Sequence, residues 1–165
     1  MAETRKTRWQ RFVFNLFPAY RRTGGRVTYI SGDYKELHIA VKLNWKTRNY
    51  VGTIFGGSMF GAADPIYMIM LIRLLGPAYV VWDKAADIHF VRPGTGKIKA
   101  CFKVTDQEVE EVKAAIAKNG EGDFQFTVAY TNREGKVVAK ITKNLYVADK
   151  AFYKEKKKRK QQLAS

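Results

Sequence analysis

Apolar residues recur along this chain at two spacings, and the switches between them mark out its elements. From Thr7 to Phe17, the residues Trp9, Phe12, Val13, Leu16 and Phe17 fall on one side of a helix, which Pro18 and Gly24-Gly25 end. Arg26–Ile30 and Tyr34–Leu43 alternate instead, and Ser31-Gly32-Asp33 joins them as a hairpin. A loop, Asn44–Val51, precedes the long apolar segment Gly56–Leu75, which reads as one buried helix stopped by Gly76-Pro77. Tyr79–Val91 has the pattern of a long strand, broken by Arg92-Pro93-Gly94. In Lys97–Val104, Ile98, Ala100, Phe102 and Val104 alternate with Lys97, Lys99, Cys101 and Lys103. Thr105 and Glu108 form a capping box for a short helix to Lys118, with Asn119-Gly120 as its stop. Phe124–Thr131 and Lys136–Val147 are strands around the turn at residues 132–135. Runs of strands with few helices predict an α+β chain, with an antiparallel sheet packed on one long apolar helix.

Composition agrees with a folded globule. The 165 residues are 46% hydrophobic and 13% aromatic, enough for one domain with a real core. The predicted organisation is a basic amphipathic helix and linker at 1–25, a central domain at 26–148 and a basic tail at 149–165. The net charge of +15 is concentrated at the ends, because residues 1–26 and residues 150–160 each carry +6. The tail Lys154–Lys160 reads as a solvated or frayed charge block. No helix-turn-helix, zinc or aromatic-platform pattern supports specific nucleic-acid binding. The basic and aromatic N-terminal helix has two readings, as a helix packed on the sheet or as a lid at a membrane surface, so peripheral membrane contact stays open. Ile54–Leu75 contains Asp64 and Arg73 and does not read as a membrane span, and the start of the chain lacks a signal-peptide pattern. The expected compartment is therefore the cytoplasm. Cys101 is the single cysteine, so no intrachain disulfide forms, and it reads as a packed thiol. His38 and His89 sit singly in strands, and no metal site is expected.

Candidate chemistry is concentrated in Asn49–Pro65 (NYVGTIFGGSMFGAADP). Asp64 is the one acid between Glu36 and Asp83, in an apolar run where an unpartnered carboxylate is costly. Gly56-Gly57 opens a helix and presents free N–H groups.

These residues resemble hot-dog-fold acyl-CoA thioesterases, of the phenylacetic-acid-pathway and bacterial 4-hydroxybenzoyl-CoA type. That family places Asn six residues before the His of a His-Gly-Gly, with an acid eight after the first Gly. Here Asn49 stands six before Phe55, Gly56-Gly57 follows, and Asp64 lies eight after Gly56. Phe90-Val91-Arg92-Pro93-Gly94 matches the family's strand-ending turn, and the element order agrees over roughly residues 26–148. The chain looks closest to a branch described as a domain of unknown function, in which Pro follows the acid. Phe55 replaces the family His. The resemblance implies a curved antiparallel sheet of five to six strands wrapped around one long central helix, with an extra N-terminal helix. It also implies a thioester hydrolase acting on acyl-CoA or acyl-carrier protein, as a homodimer or tetramer, with coenzyme A entering only as part of the substrate.

In that chemistry the Gly56 N–H polarises the thioester carbonyl, aided by the helix dipole. Asp64 orients or deprotonates water, or attacks the carbonyl itself, and Asn49 holds water or substrate. Eight helical residues span about 12 Å, so Gly56 and Asp64 of one helix cannot share one carbonyl. Joint action requires two copies of the helix. Phe55, Gly57 and Met68 are candidate acyl contacts, and Lys84 and Arg92 are candidate phosphate contacts. Each residue also has a structural reading: Asp64 satisfying polar groups at a Pro65 kink, the glycines serving close packing, Asn49 forming a turn. The alternative function is a non-catalytic acyl-CoA or lipid-binding protein.

Overall fold

Six antiparallel strands form one sheet in the computed structural model, which describes residues 1–162. The elements are α1 (Arg5–Leu16), α2 (Pro18–Arg22), β1 (Gly25–Ile30), β2 (Glu36–Lys42), α3 (Gly56–Ala63), α4 (Ile66–Leu75), β3 (Tyr79–Phe90), β4 (Lys97–Lys103), α5 (Asp106–Asn119), β5 (Glu121–Thr131), β6 (Val137–Asp149) and α6 (Lys150–Gln162). The strand order is β1-β2-β4-β5-β6-β3. The chain therefore crosses the whole sheet through α3 and α4 before laying down β3, and then returns to the middle for β4. The predicted capping box at Thr105 and Glu108 is formed, and Gly120 takes the left-handed conformation that ends α5.

The apolar phase of each strand faces α3 and α4. Met59, Ala62, Ala63, Ile66, Tyr67, Met70 and Leu71 form one core with Ile39, Phe102, Val128, Ile141 and Leu145. Small residues let the layers approach, because a Cβ on Gly25 would lie 2.4 Å from the Ala62 Cβ. By length and composition Gly56–Leu75 is apolar enough to cross a membrane, but here it is the core helix and half of it is buried in the fold.

Three expectations change. The long helix is two pieces, α3 and α4, joined at Asp64-Pro65 with both residues in the right-handed helical region. Pro65 has no N–H to offer the Gly61 carbonyl, which breaks the helical ladder at that turn. The basic tail is an ordered helix, α6, through Gln162, although none of its residues is buried. Residues 163–165 of that predicted tail lie outside the described residues. β5 begins at Glu121, three residues before the alternation predicts, because its first turn continues pairing with β6 as far as Ala148.

The two sheet edges differ. α1 lies along β1, and the Asn15 amide meets the strand backbone there. Its Nδ2 donates to the Val27 carbonyl at 2.8 Å, and the Val27 N–H donates to its Oδ1 at 2.8 Å. At the other edge β3 pairs with β6 alone, and its outer side meets no strand among the described residues.

Candidate active site

Asp64 sits where the helical ladder is broken, and its side chain meets the sheet at Lys143 of β6. The Lys143 Nζ donates to Asp64 Oδ1 at 2.6 Å and lies 2.8 Å from Asp83 Oδ1. Lys143 is only 1% exposed, and the Asp64 side chain is 45% exposed. One buried ammonium therefore holds an accessible carboxylate from α3–α4 and a more buried one from β3. The contact with Asp83 is an ion pair rather than a well-directed hydrogen bond, since Asp83 Oδ1 has no aligned donor. Burial raises the Asp83 carboxyl above the usual carboxylate range, Lys143 partly offsets this, and the negative charge of Asp64 adds to the rise.

Lys143 went unrecognised in the sequence, although a signal was there. Ala139, Ile141, Leu145 and Val147 are all buried on β6, and Lys143 stands in the same alternating phase. A lysine in an inward phase requires a buried acid. Asp83 likewise follows the buried Val81 by two positions in β3.

Gly56 and Gly57 occupy the first two helical positions of α3, whose N–H groups have no intrahelical acceptor. Both are packed beneath aromatic rings. A Cβ on Gly56 would come within 2.6 Å of the Phe90 ring, and one on Gly57 within 2.3 Å of the Phe55 ring. Gly56 lines a groove of about 490 Å³ with Asn49, Thr53, Met59, Phe90 and Arg92. The Arg-Pro-Gly turn reaches this groove because the Gly94 carbonyl accepts the Ile54 N–H at 2.9 Å, holding the turn against the start of α3. Arg92 is thus brought to Gly56.

Asn49 lines the same groove, but its amide is largely spent on its own loop. Nδ2 donates to Thr53 Oγ1, and the Thr53 N–H donates to Oδ1, both at 2.9 Å. Lys84 lies elsewhere, ion-paired with Asp123 on β5. Met68 lines a different cavity, under α1, and Asp64 lies on that cavity's wall. Within one chain the Gly56 groove and Asp64 therefore open into separate depressions.

Among the described residues, the group able to hold a metal is Glu36, His38 and Cys101, whose ligand atoms lie within 4.8 Å of one another. His38 and Cys101 face each other across β2 and β4 on the sheet face away from the core, and strand pairing rather than sequence spacing brings them together. His38 Nε2 is 2.6 Å from Glu36 Oε1.

The family model for a domain of unknown function, DUF4442, matches residues 5–147. A sequence comparison with curated proteins finds no match. Among solved structures, the chain is similar to a Pseudomonas aeruginosa protein of unknown function described as a "Probable Thioesterase", with TM-score 0.76 at 16% identity over 90% of this chain and 98% of that one. It is similar to a Chlorobaculum tepidum protein of unknown function, with TM-score 0.69 at 17% identity over 87% and 94%. It is also similar to a Haemophilus influenzae thioesterase, with TM-score 0.61 at 15% identity over 83% and 88%.

Proposed function

The chain belongs to the DUF4442 family and has a thioesterase-like hot-dog fold, and from that premise we propose that it hydrolyses acyl thioesters of coenzyme A or of an acyl-carrier protein. The observation that carries the reading is Asp64, a carboxylate held by a buried lysine yet open to solvent at the wall of an apolar cavity. Such a group can take a proton from water without losing its position. Water adds to the thioester carbonyl as Asp64 accepts its proton. The Gly56 N–H, at the positive end of α3, donates to the oxygen that becomes negative. The tetrahedral intermediate then collapses, the C–S bond breaks, and the leaving thiolate recovers the proton from Asp64.

The two depressions of one chain do not bring Gly56 and Asp64 together, so the reaction uses a homodimer in which each site takes the donor from one copy and the acid from the other. The bare edge of β3 supports this, since it is twelve residues long with Trp82 and Phe90 more than half exposed. Arg92 in the Gly56 groove suits a phosphate of the carrier. The proposed site of action is the cytoplasm.

The test is a panel of acyl-CoA substrates with detection of free thiol. Asp64→Asn is expected to lower kcat by about 10²–10⁴, and wild-type turnover no faster than that of the variant would refute hydrolysis. A second reading, binding without turnover, is favoured by the rings of Phe55 and Phe90 over the two glycines. Retention of intact acyl-CoA by the wild-type protein would select it.

A further inference from the structure

The cavity between α1 and α4 has a volume of about 770 Å³, within the size range of small-molecule sites. Its wall is almost wholly apolar, with Val13 and Phe17 from α1 facing Met68 and Ile69 from α4. Two charged residues, Asp64 and Arg73, break that lining, which also includes the polar side chains of Gln10, Thr23 and Tyr34. Asp64 stands at one end. Arg73 stands about nine helical residues further on, some 14 Å away. It lies over the Tyr34 ring at 5.5 Å and meets no carboxylate among the described residues. Tyr20, also on the wall, is 4% exposed, and its hydroxyl has no hydrogen-bond partner among the described residues.

The cavity is open on the α1 side, because Val13 and Phe17, which line it, are also exposed. An apolar chamber with an apolar doorway admits an apolar chain, and desolvating a charged ligand inside it would be unfavourable. We propose that this cavity holds the acyl chain of a medium-to-long fatty acyl group, laid along α4 with its carbonyl end at Asp64 and its tail toward Arg73. The position of the carbonyl rests on the thioesterase reading above, but occupation by the chain does not. α1 then acts as the outer wall of a binding site, and Arg73 ends it, since a methylene chain gains nothing by passing a guanidinium.

Calorimetric titration of the full chain with 1-octanol, 1-decanol, 1-dodecanol and 1-hexadecanol, whose uncharged heads can meet Asp64, tests the proposal, with hydrolysis of the acyl-CoA esters of the same chain lengths followed in parallel. Affinity is expected to rise by about fourfold per added methylene while the chain fits, and then to level off. Met68→Trp, which fills the cavity from α4, and Val13→Glu, which charges its α1 wall, are each expected to weaken 1-dodecanol binding by at least about tenfold. The second variant guards against misfolding of the first, because Val13 is exposed and its replacement leaves the core intact. Flat affinity across the series, or unchanged 1-dodecanol binding in both variants, overturns the proposal even if lauroyl-CoA is hydrolysed. Chain-length-dependent binding lost in both variants upholds it even if no ester is hydrolysed, in which case only the catalytic reading falls.

Discussion

The two edges of the sheet solve the same chemical problem in opposite ways. β1 is six residues long, is shifted in register between Val27 and Tyr29, and is covered by α1. Asn15 supplies one donor and one acceptor to Val27, mimicking a strand neighbour at that point. The Tyr29 hydroxyl also donates to the Met1 carbonyl, so the N-terminal segment fastens the same edge. β3 is twice as long and has no such cover. It offers Trp82 and Phe90 to solvent, and the nearby loop adds Trp45, Tyr50, Val51 and Phe55. The chain thus seals one edge with a dedicated side chain and leaves the longer, more apolar edge with unpaired backbone groups.

The strongest way to break this contrast acts on the anchor of the open edge. Lys143 ties Asp83 of β3 to Asp64 of the central helix. Lys143→Met removes the one cation from two carboxylates and is expected to cost about 3 kcal/mol of stability, measured by urea unfolding. The variant also has a pH signature. The Asp83 carboxyl already titrates above its usual range, so the folded state holds that proton more tightly than the unfolded chain does. Its contribution to stability is therefore present at low pH and is lost as pH rises through the raised folded value. Without the ammonium this loss steepens, whereas Asp83→Asn flattens it, and melting temperatures across the acid range separate the two.

Next in size, Trp82→Glu with Phe90→Glu places like charges along the open edge. The expected outcome is a monomer by analytical ultracentrifugation, with hydrolysis lost. The comparison sharpens further by mixing two inactive proteins, Asp64→Asn and Gly56→Val. Recovery of up to about a quarter of wild-type activity through mixed dimers would place donor and acid on different chains, and no recovery would remove the shared site. Opening the sealed edge with Asn15→Leu is expected to cost about 2 kcal/mol, because both backbone groups of buried Val27 lose their partners. It is also expected to promote slow self-association visible by light scattering.

The smallest effect concerns α6. Lys156 pairs with Glu121, and the Tyr146 hydroxyl donates to the same carboxylate, pinning α6 to the sheet beside β3. Lys156 first, then Tyr146, holds the Glu121 carboxyl below its usual range. That support is present above about pH 4.5 and is lost as pH falls through the lowered folded value. Glu121→Gln is expected to cost less than about 1 kcal/mol and to speed amide exchange in α6 alone.

Much of this was legible from periodicity. The alternation of Lys97–Val104, the capping box at Thr105 and the hairpin at Ser31–Asp33 are local signals, and the structure keeps them because packing agrees with propensity. The Asn49, Gly56-Gly57 and Asp64 spacing marks a candidate segment, but not what surrounds it. Asn49 bonds to its own loop and Asp64 meets a lysine 79 residues away, and no sequence distance encodes either. The tail is solvated, as its charge predicts, but it is not frayed, because Asp149 caps its first turn by accepting the Ala151 and Phe152 N–H groups, and Glu121 holds its middle. Lys143 was readable as an inward residue of β6, and only a rule that every inward lysine needs an acid would have found it.

The far placement of β3 also sets a timetable. Its one partner strand, β6, begins at Val137, after β4, α5 and β5 have all been made. While the chain emerges from the ribosome, Tyr79–Phe90 therefore waits as an extended apolar ribbon with both margins unpaired, although the β1–β2 hairpin ahead of it can already close. The one lysine and two acids dispersed along it, Lys84, Asp83 and Asp87, are the charges that oppose its pairing with another nascent copy.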